Sequence, residues 1–176
     1  MPYQIGIFGS VVSTNPETIE KARRIGKALS NYDCVIFTGG TTGLSYEAAM
    51  AAKENGIFTI GFSPASNKQE HIEREHMPTD FSVMVYSGFG KKGRNVLSVR
   101  SSDAAIILSG RIGTLNEFTI AYDEGKTTAV LTETDGMADE IKHIVEICKK
   151  GNTTMIYDSD PEKLVSSLME TLEKPK

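Results

Sequence analysis

Ser109-Gly-Arg-Ile-Gly-Thr-Leu-Asn-Glu117 holds the residue types that an anion site needs. It follows an apolar run, Ala104–Leu108, that reads as a buried strand, and it leads into a helical pattern, Phe118–Glu124. A strand, a Gly-rich turn and a helix start in that order aim free backbone N–H groups and the positive helix end at one spot. Gly110, Arg111, Ile112, Gly113 and Thr114 are therefore candidate phosphate binders. Glu117 admits two readings. Thr114-x-x-Glu117 has capping-box spacing, with the threonine capping the helix and the glutamate reaching back. Alternatively, Thr114 and its amides bind phosphate while Glu117 faces the ligand as a base or electrostatic stabiliser.

Gly39-Gly40-Thr41-Thr42-Gly43 could form a second phosphate-binding nest. It lacks the Lys-Ser/Thr ending of a P-loop and is not G-x-G-x-x-G, which argues against Walker-type hydrolysis. Its plain structural reading is a tight turn with Thr41 or Thr42 as helix cap. Lys91-Lys-Gly-Arg-Asn95 is a basic cluster in an acidic chain. Cations at a helix start oppose the macrodipole, and an anionic ligand would resolve that conflict. Arg94 is the leading candidate there; Arg100 and Arg111 are weaker ones. His71 and His76 lack the H-E-x-x-H spacing and would not share a helical face, so no metal is expected. Their polar stretch, Ser63–Asp80, reads as a flap over the site. No Ser-His-Asp order or G-x-S-x-G elbow points to a covalent nucleophile.

Alternating strand and helix patterns must position these residues. Strands are expected at Tyr3–Phe8, Cys34–Phe37, Ile57–Phe62, Val83–Tyr86, Ala104–Leu108, Thr127–Thr132 and Thr153–Tyr157. Asn15-Pro16-Glu17 is a helix start, and the helix runs to about Ser30 with Ile19, Ala22, Ile25, Ala28 and Leu29 on one face. Further helices are expected at Tyr46–Lys53, Arg94–Ser101, Met137–Lys149 and Pro161–Leu172, with a frayed tail at Glu173–Lys176. The alternation implies an α/β fold, Rossmann-like and doubly wound, with a mostly parallel sheet and helices on both faces. Ligands of such sheets bind beyond the strands' carboxyl ends, where strand order reverses. Gly9-Ser10, Gly39-Gly40, Gly88 and Gly110 all follow strands, so they gather on that edge.

The 176 residues suit a single domain, without repeat or linker. A net charge of -4 argues against general nucleic-acid or membrane-surface binding. No apolar run is long enough to span a bilayer, and the N-terminus lacks the pattern of a signal peptide. Two cysteines, Cys34 and Cys148, fit a reduced cytoplasm and form no Cys-x-x-Cys motif.

Gly39-Gly-Thr-Thr-Gly-Leu44 resembles the G-G-x-x-G-L segment of the LOG family, often mislabelled as lysine decarboxylases. Arg94, Ser102-Asp103-Ala104 and Gly110-x-x-Gly-Thr-x-x-Glu117 are similar to that family's R, S-D-A and P-G-G-x-G-T-x-x-E signature. The resemblance runs from about Ile5 to Leu131. It implies a Rossmann-like fold, a homodimer and a nucleoside 5′-monophosphate phosphoribohydrolase, which cleaves the N-glycosidic bond of AMP or a cytokinin riboside monophosphate. Arg94 and Glu117 are then the catalytic pair, and Gly110, Gly113 and Thr114 the phosphate binders. No metal or redox cofactor is implied. A sister group, the molybdenum-cofactor carrier proteins, implies the alternative: a non-catalytic binder of a nucleotide or phosphorylated pterin. The family's Pro-Gly-Gly is Ser109-Gly110-Arg111 here, and its Arg-Lys pair is Arg94-Asn95, as in the carrier-like branch.

Overall fold

The computed structural model describes residues 1–12 and 15–174. Ser13 and Thr14 of the first loop, and Pro175 and Lys176 of the expected frayed tail, lie outside the described residues. Seven strands form one sheet: β1 (Tyr3–Gly9), β2 (Cys34–Thr38), β3 (Phe58–Ser63), β4 (Val83–Tyr86), β5 (Ala104–Leu108), β6 (Thr127–Leu131) and β7 (Met155–Asp158). Their order is β4-β3-β2-β1-β5-β6-β7, and every pairing is parallel. The helices are α1 (Pro16–Leu29), α2 (Leu44–Glu54), α3 (Gly90–Arg100), α4 (Ile112–Asp123), α5 (Met137–Cys148) and α6 (Pro161–Glu173). They cover both faces of the sheet, as the Rossmann-like expectation requires.

Two apolar clusters sandwich the sheet. One joins Ile5, Ile7, Ile36 and Ile106 to Ala22, Ile25 and Leu29 of α1, Ala48 of α2 and Leu164 of α6. The other joins Phe8, Ala105, Ile107 and Val130 to Phe118 of α4 and Ile141 of α5. Alternate residues of one strand thus serve opposite faces, so central strands read as continuous apolar runs. All of β5 is buried. The start of α1 follows its sequence signal: the Asn15 side chain accepts from the Glu17 amide at 3.0 Å, with Pro16 at the first helical position.

Strand ends shift by one or two residues, and the differences that matter for the site are at helix starts and in the stretch after β3. α3 begins at Gly90, a turn earlier than Arg94, so Lys91 and Lys92 form its first turn. α2 is entered through Gly43 at φ 87, and neither Thr41 nor Thr42 caps it. Thr42 Oγ1 instead donates to the Val11 carbonyl at 3.3 Å, and the Leu44 amide to the Ser10 carbonyl at 2.9 Å. A Cβ at Gly43 would sit 2.2 Å from that same Ser10 oxygen. The Gly39–Gly43 turn is therefore stitched to the loop after β1. The stretch after β3 holds a π-helical turn at Glu70–Arg74. His71 anchors it from a fully buried position, with Ser63 Oγ on Nδ1 and the Pro78 carbonyl on Nε2, each at 2.8 Å. Both ring nitrogens are thereby engaged in holding the strap.

Candidate functional site

Strand order reverses between β1 and β5. There the loops after β1, β2 and β5 surround a cavity of about 370 Å³, lined from α2, α3, α4 and the strap as well. The structure brings Gly9, Ser10, Gly39, Thr41, Arg94, Arg111, Ile112, Gly113, Thr114 and Glu117 together on its wall. Gly40, Thr42, Gly43 and Gly110 are not on the wall; they shape the turns behind it. Arg100 is elsewhere, in a surface pair with Glu124. Ile7 and Phe8 of β1, with Val11, Ser45, Met77, Lys91, Lys92 and Asn95, complete the lining. Ser45 stands two residues past Gly43, at a helix start, a legible position. Met77 arrives from the strap, and nothing in the sequence fixes its reach.

The floor is a buried ion pair. Arg94 and Glu117 are 5% and 7% exposed, and Nη1 donates to Oε1 at 3.3 Å. The guanidinium lies against Gly39, where a Cβ would come within 2.2 Å of Nη1. Glu117 is the one partner of Arg94 among the described residues, and its Nε has none. Asn95 is also buried. Its Nδ2 donates to Asn116 Oδ1 at 2.8 Å, and with the amide turned over the nitrogen donates to Glu117 Oε1 at 3.1 Å.

The capping-box reading of Glu117 does not hold. α4 starts at Ile112 with Arg111 as its N-cap and no side-chain cap, so Thr114 and Glu117 both lie inside the helix. The amides of Ile112, Gly113 and Thr114 have no acceptor among the described residues. This end is kept open by its neighbour. The first amides of α5, those of Met137 and Ala138, donate to the carbonyls of Gly110 and Ser109 at 2.9 and 3.0 Å. Thr134 Oγ1 accepts from the Ser109 amide at 2.9 Å. Ser109 and Gly110 take φ values of 50 and 99 to make these bonds. Proline, locked near φ −65° and lacking the amide, could not stand at Ser109. Arg111 has φ −132, ordinary extended backbone, so nothing there demands glycine.

Burial pushes the Glu117 carboxyl up to about 7, against the pull of Arg94 and then Lys92. Burial also lowers Arg94, which stays charged as arginines do. Between 4.5, the ordinary value, and about 7 the folded protein holds a proton that the unfolded chain has released. That contribution to stability is complete below the ordinary value and is lost as pH rises through 7. Glu117→Gln is permanently neutral and escapes the loss. The melting temperature of the native protein relative to Glu117→Gln should fall as pH rises from about 5 to about 8. A pH-independent difference would contradict the buried-carboxyl assignment.

Comparison with known proteins places this architecture. The family model of the SLOG cluster 4 family matches residues 2–165. An uncharacterized protein of Archaeoglobus fulgidus is 32% identical over 129 residues, 73% of this chain and 79% of its own. A cytokinin riboside 5′-monophosphate phosphoribohydrolase of Mycobacterium tuberculosis is 25% identical over 70% of this chain, which spans 64% of that relative's length. Among solved structures, the molybdenum cofactor binding protein of Rippkaea orientalis superposes with a TM-score of 0.81, at 24% identity and 99% coverage of both chains. The helices of the described residues include none long and apolar enough to cross a membrane. With its parallel sheet, its switch-point cavity and a family match along nearly its whole length, the chain belongs to the SLOG cluster 4 family, within the LOG superfamily.

Proposed function

We propose that the cavity binds a small phosphorylated ligand, a nucleotide or a phosphorylated pterin, and holds it without turnover, as a carrier does. The carrying observation is the uncapped start of α4, whose first residues, Ile112, Gly113 and Thr114, line the cavity together with Arg111. Free amides, a helix N-terminus and an arginine together suit a phosphoryl group. In this reading Gly9, Ser10 and the Gly39–Gly43 turn shape the wall, Gly110 shapes the turn behind it, and Arg111–Thr114 receive the phosphate. The end-to-end likeness to a molybdenum cofactor binding protein supports a pterin phosphate as one such ligand.

Hydrolysis of a nucleoside monophosphate is the second reading, favoured by the Arg94–Glu117 pair on the cavity floor. An oxocarbenium-like ribose needs a nearby ionised carboxylate. Glu117 would supply it, and Arg94 would hold the ligand in place. Two features favour holding over cleavage. Glu117 spends its proximal oxygen on Arg94, and burial keeps it partly protonated at neutral pH. The turn at Ser109 also takes a φ that the family's proline cannot adopt.

Native mass spectrometry of freshly purified protein should show a retained nucleotide or pterin. Calorimetry should show AMP binding weakened roughly tenfold in Arg111→Ala, about 1.4 kcal/mol. Absence of any nucleotide or pterin binding at millimolar ligand would sink the binding reading. Release of free base from AMP, abolished in Glu117→Gln, would move the assignment to the hydrolase.

The same reading places the protein in the cytoplasm, where the buried Cys34 and the exposed Cys148 stay reduced. It also takes a second copy of the chain as partner, with the exposed Phe89 and Ile112 beside the cavity mouth available for contact. Light scattering should return twice the 19.2 kDa chain mass, and a monomer at micromolar concentration would remove the dimer.

A further inference from the structure

The start of α3 is a second unsatisfied helix end beside the first. Its N-cap, Phe89, offers no side-chain cap, and the amides of Lys91 and Lys92 find no acceptor among the described residues. The turn carries no acid. Lys91 and Lys92 both line the cavity, although two cations at a helix N-terminus oppose the macrodipole. One turn on, in the same helix, Arg94 faces the cavity nine-tenths buried with its Nε unpartnered.

The two helix ends lie side by side. Asn95, at the middle of α3, meets Asn116, in the second turn of α4, at 2.8 Å, and Arg100 meets Glu124 further along both, so the helices run in the same direction. Packed helices keep their axes about 8–10 Å apart. The three free amides of α4 and Arg111 suffice to hold one phosphoryl group at that helix end. The free amides of α3 and Lys92 then remain without an anion, and Lys91 meets only the Glu75 carboxylate.

We infer that Lys91, Lys92 and the first turn of α3 form a second anion subsite, so that the ligand carries two phosphoryl groups rather than one. This rests on the phosphate reading of α4 given above. Within the protein, the subsite's lysine already holds a carboxylate: Glu75, from the end of the strap, sits 3.5 Å from Lys91 Nζ. The incoming second phosphoryl group displaces Glu75 from Lys91.

Calorimetry on the full chain with AMP, ADP and adenosine 3′,5′-bisphosphate tests this. At least one of the doubly phosphorylated ligands should bind tenfold or more tighter than AMP. In the Lys91→Ala/Lys92→Ala variant that ratio should fall to near one, and in Glu75→Gln it should rise severalfold. Equal affinities for all three ligands, or a preference that survives the double lysine substitution, overturn the second subsite and leave the first standing. Failure of all three to bind at millimolar concentration overturns both. A circular dichroism melt matching the native protein keeps the lysine variant interpretable.

Discussion

The arrangement depends on burying one ion pair where three elements meet. Arg94 comes from α3 and Glu117 from α4, and Gly39 at the end of β2 leaves room for the guanidinium. Removing two charges from water costs several kcal/mol each, and their attraction repays this only in part. Deleting one partner of such a pair leaves an uncompensated buried charge, typically at a cost of about 3–5 kcal/mol. A fold that sought only stability would fill this floor with apolar side chains. The cost is consistent with a pair kept for a ligand. Arg94 still has donors to offer, and the carboxyl titrates near neutrality.

The second constraint is the division of labour between two helix starts. α5 spends its first amides on the carbonyls of Ser109 and Gly110, while α4 keeps its own. Holding Ser109 at φ 50 costs roughly 1–2 kcal/mol, offset by the bonds from Met137, Ala138 and Thr134. The turn thus faces its carbonyls away from the cavity and its helix toward it. Lys91, Lys92 and Arg111 then stand around a mouth in a chain of net charge -4. Local cations in a concave site focus positive potential even where the whole molecule is acidic.

Much of this was legible in the residues. Strong apolar runs and the Asn15-Pro16 signal located strands and helices to within a few residues. The glycine-bearing loops gathered on one edge because a parallel sheet places every such loop at its carboxyl ends. What escaped the sequence were helix starts fixed by backbone contacts. Thr114 and Glu117 have capping-box spacing, yet α4 begins two residues before Thr114, because α5 fixes the preceding turn. Gly90, a weak helix former, still opens α3, with its amide held by the Pro64 carbonyl. The flap expected over 63–80 is a strap pinned by a buried histidine, and it reaches the cavity through Met77. None of these long-range contacts leaves a local pattern.

A phosphoryl group received at the start of α4 must hydrogen-bond to that helix's free amides. Amide NMR of the uniformly ¹⁵N-labelled protein, titrated with inorganic phosphate, reads that contact directly. Saturable downfield shifts are expected for the Ile112, Gly113 and Thr114 amides, while those of Met137 and Ala138, already bonded to Gly110 and Ser109, stay in place. Unmoved α4 amides at saturating phosphate, or shifts spread evenly over all helix starts, would contradict that contact.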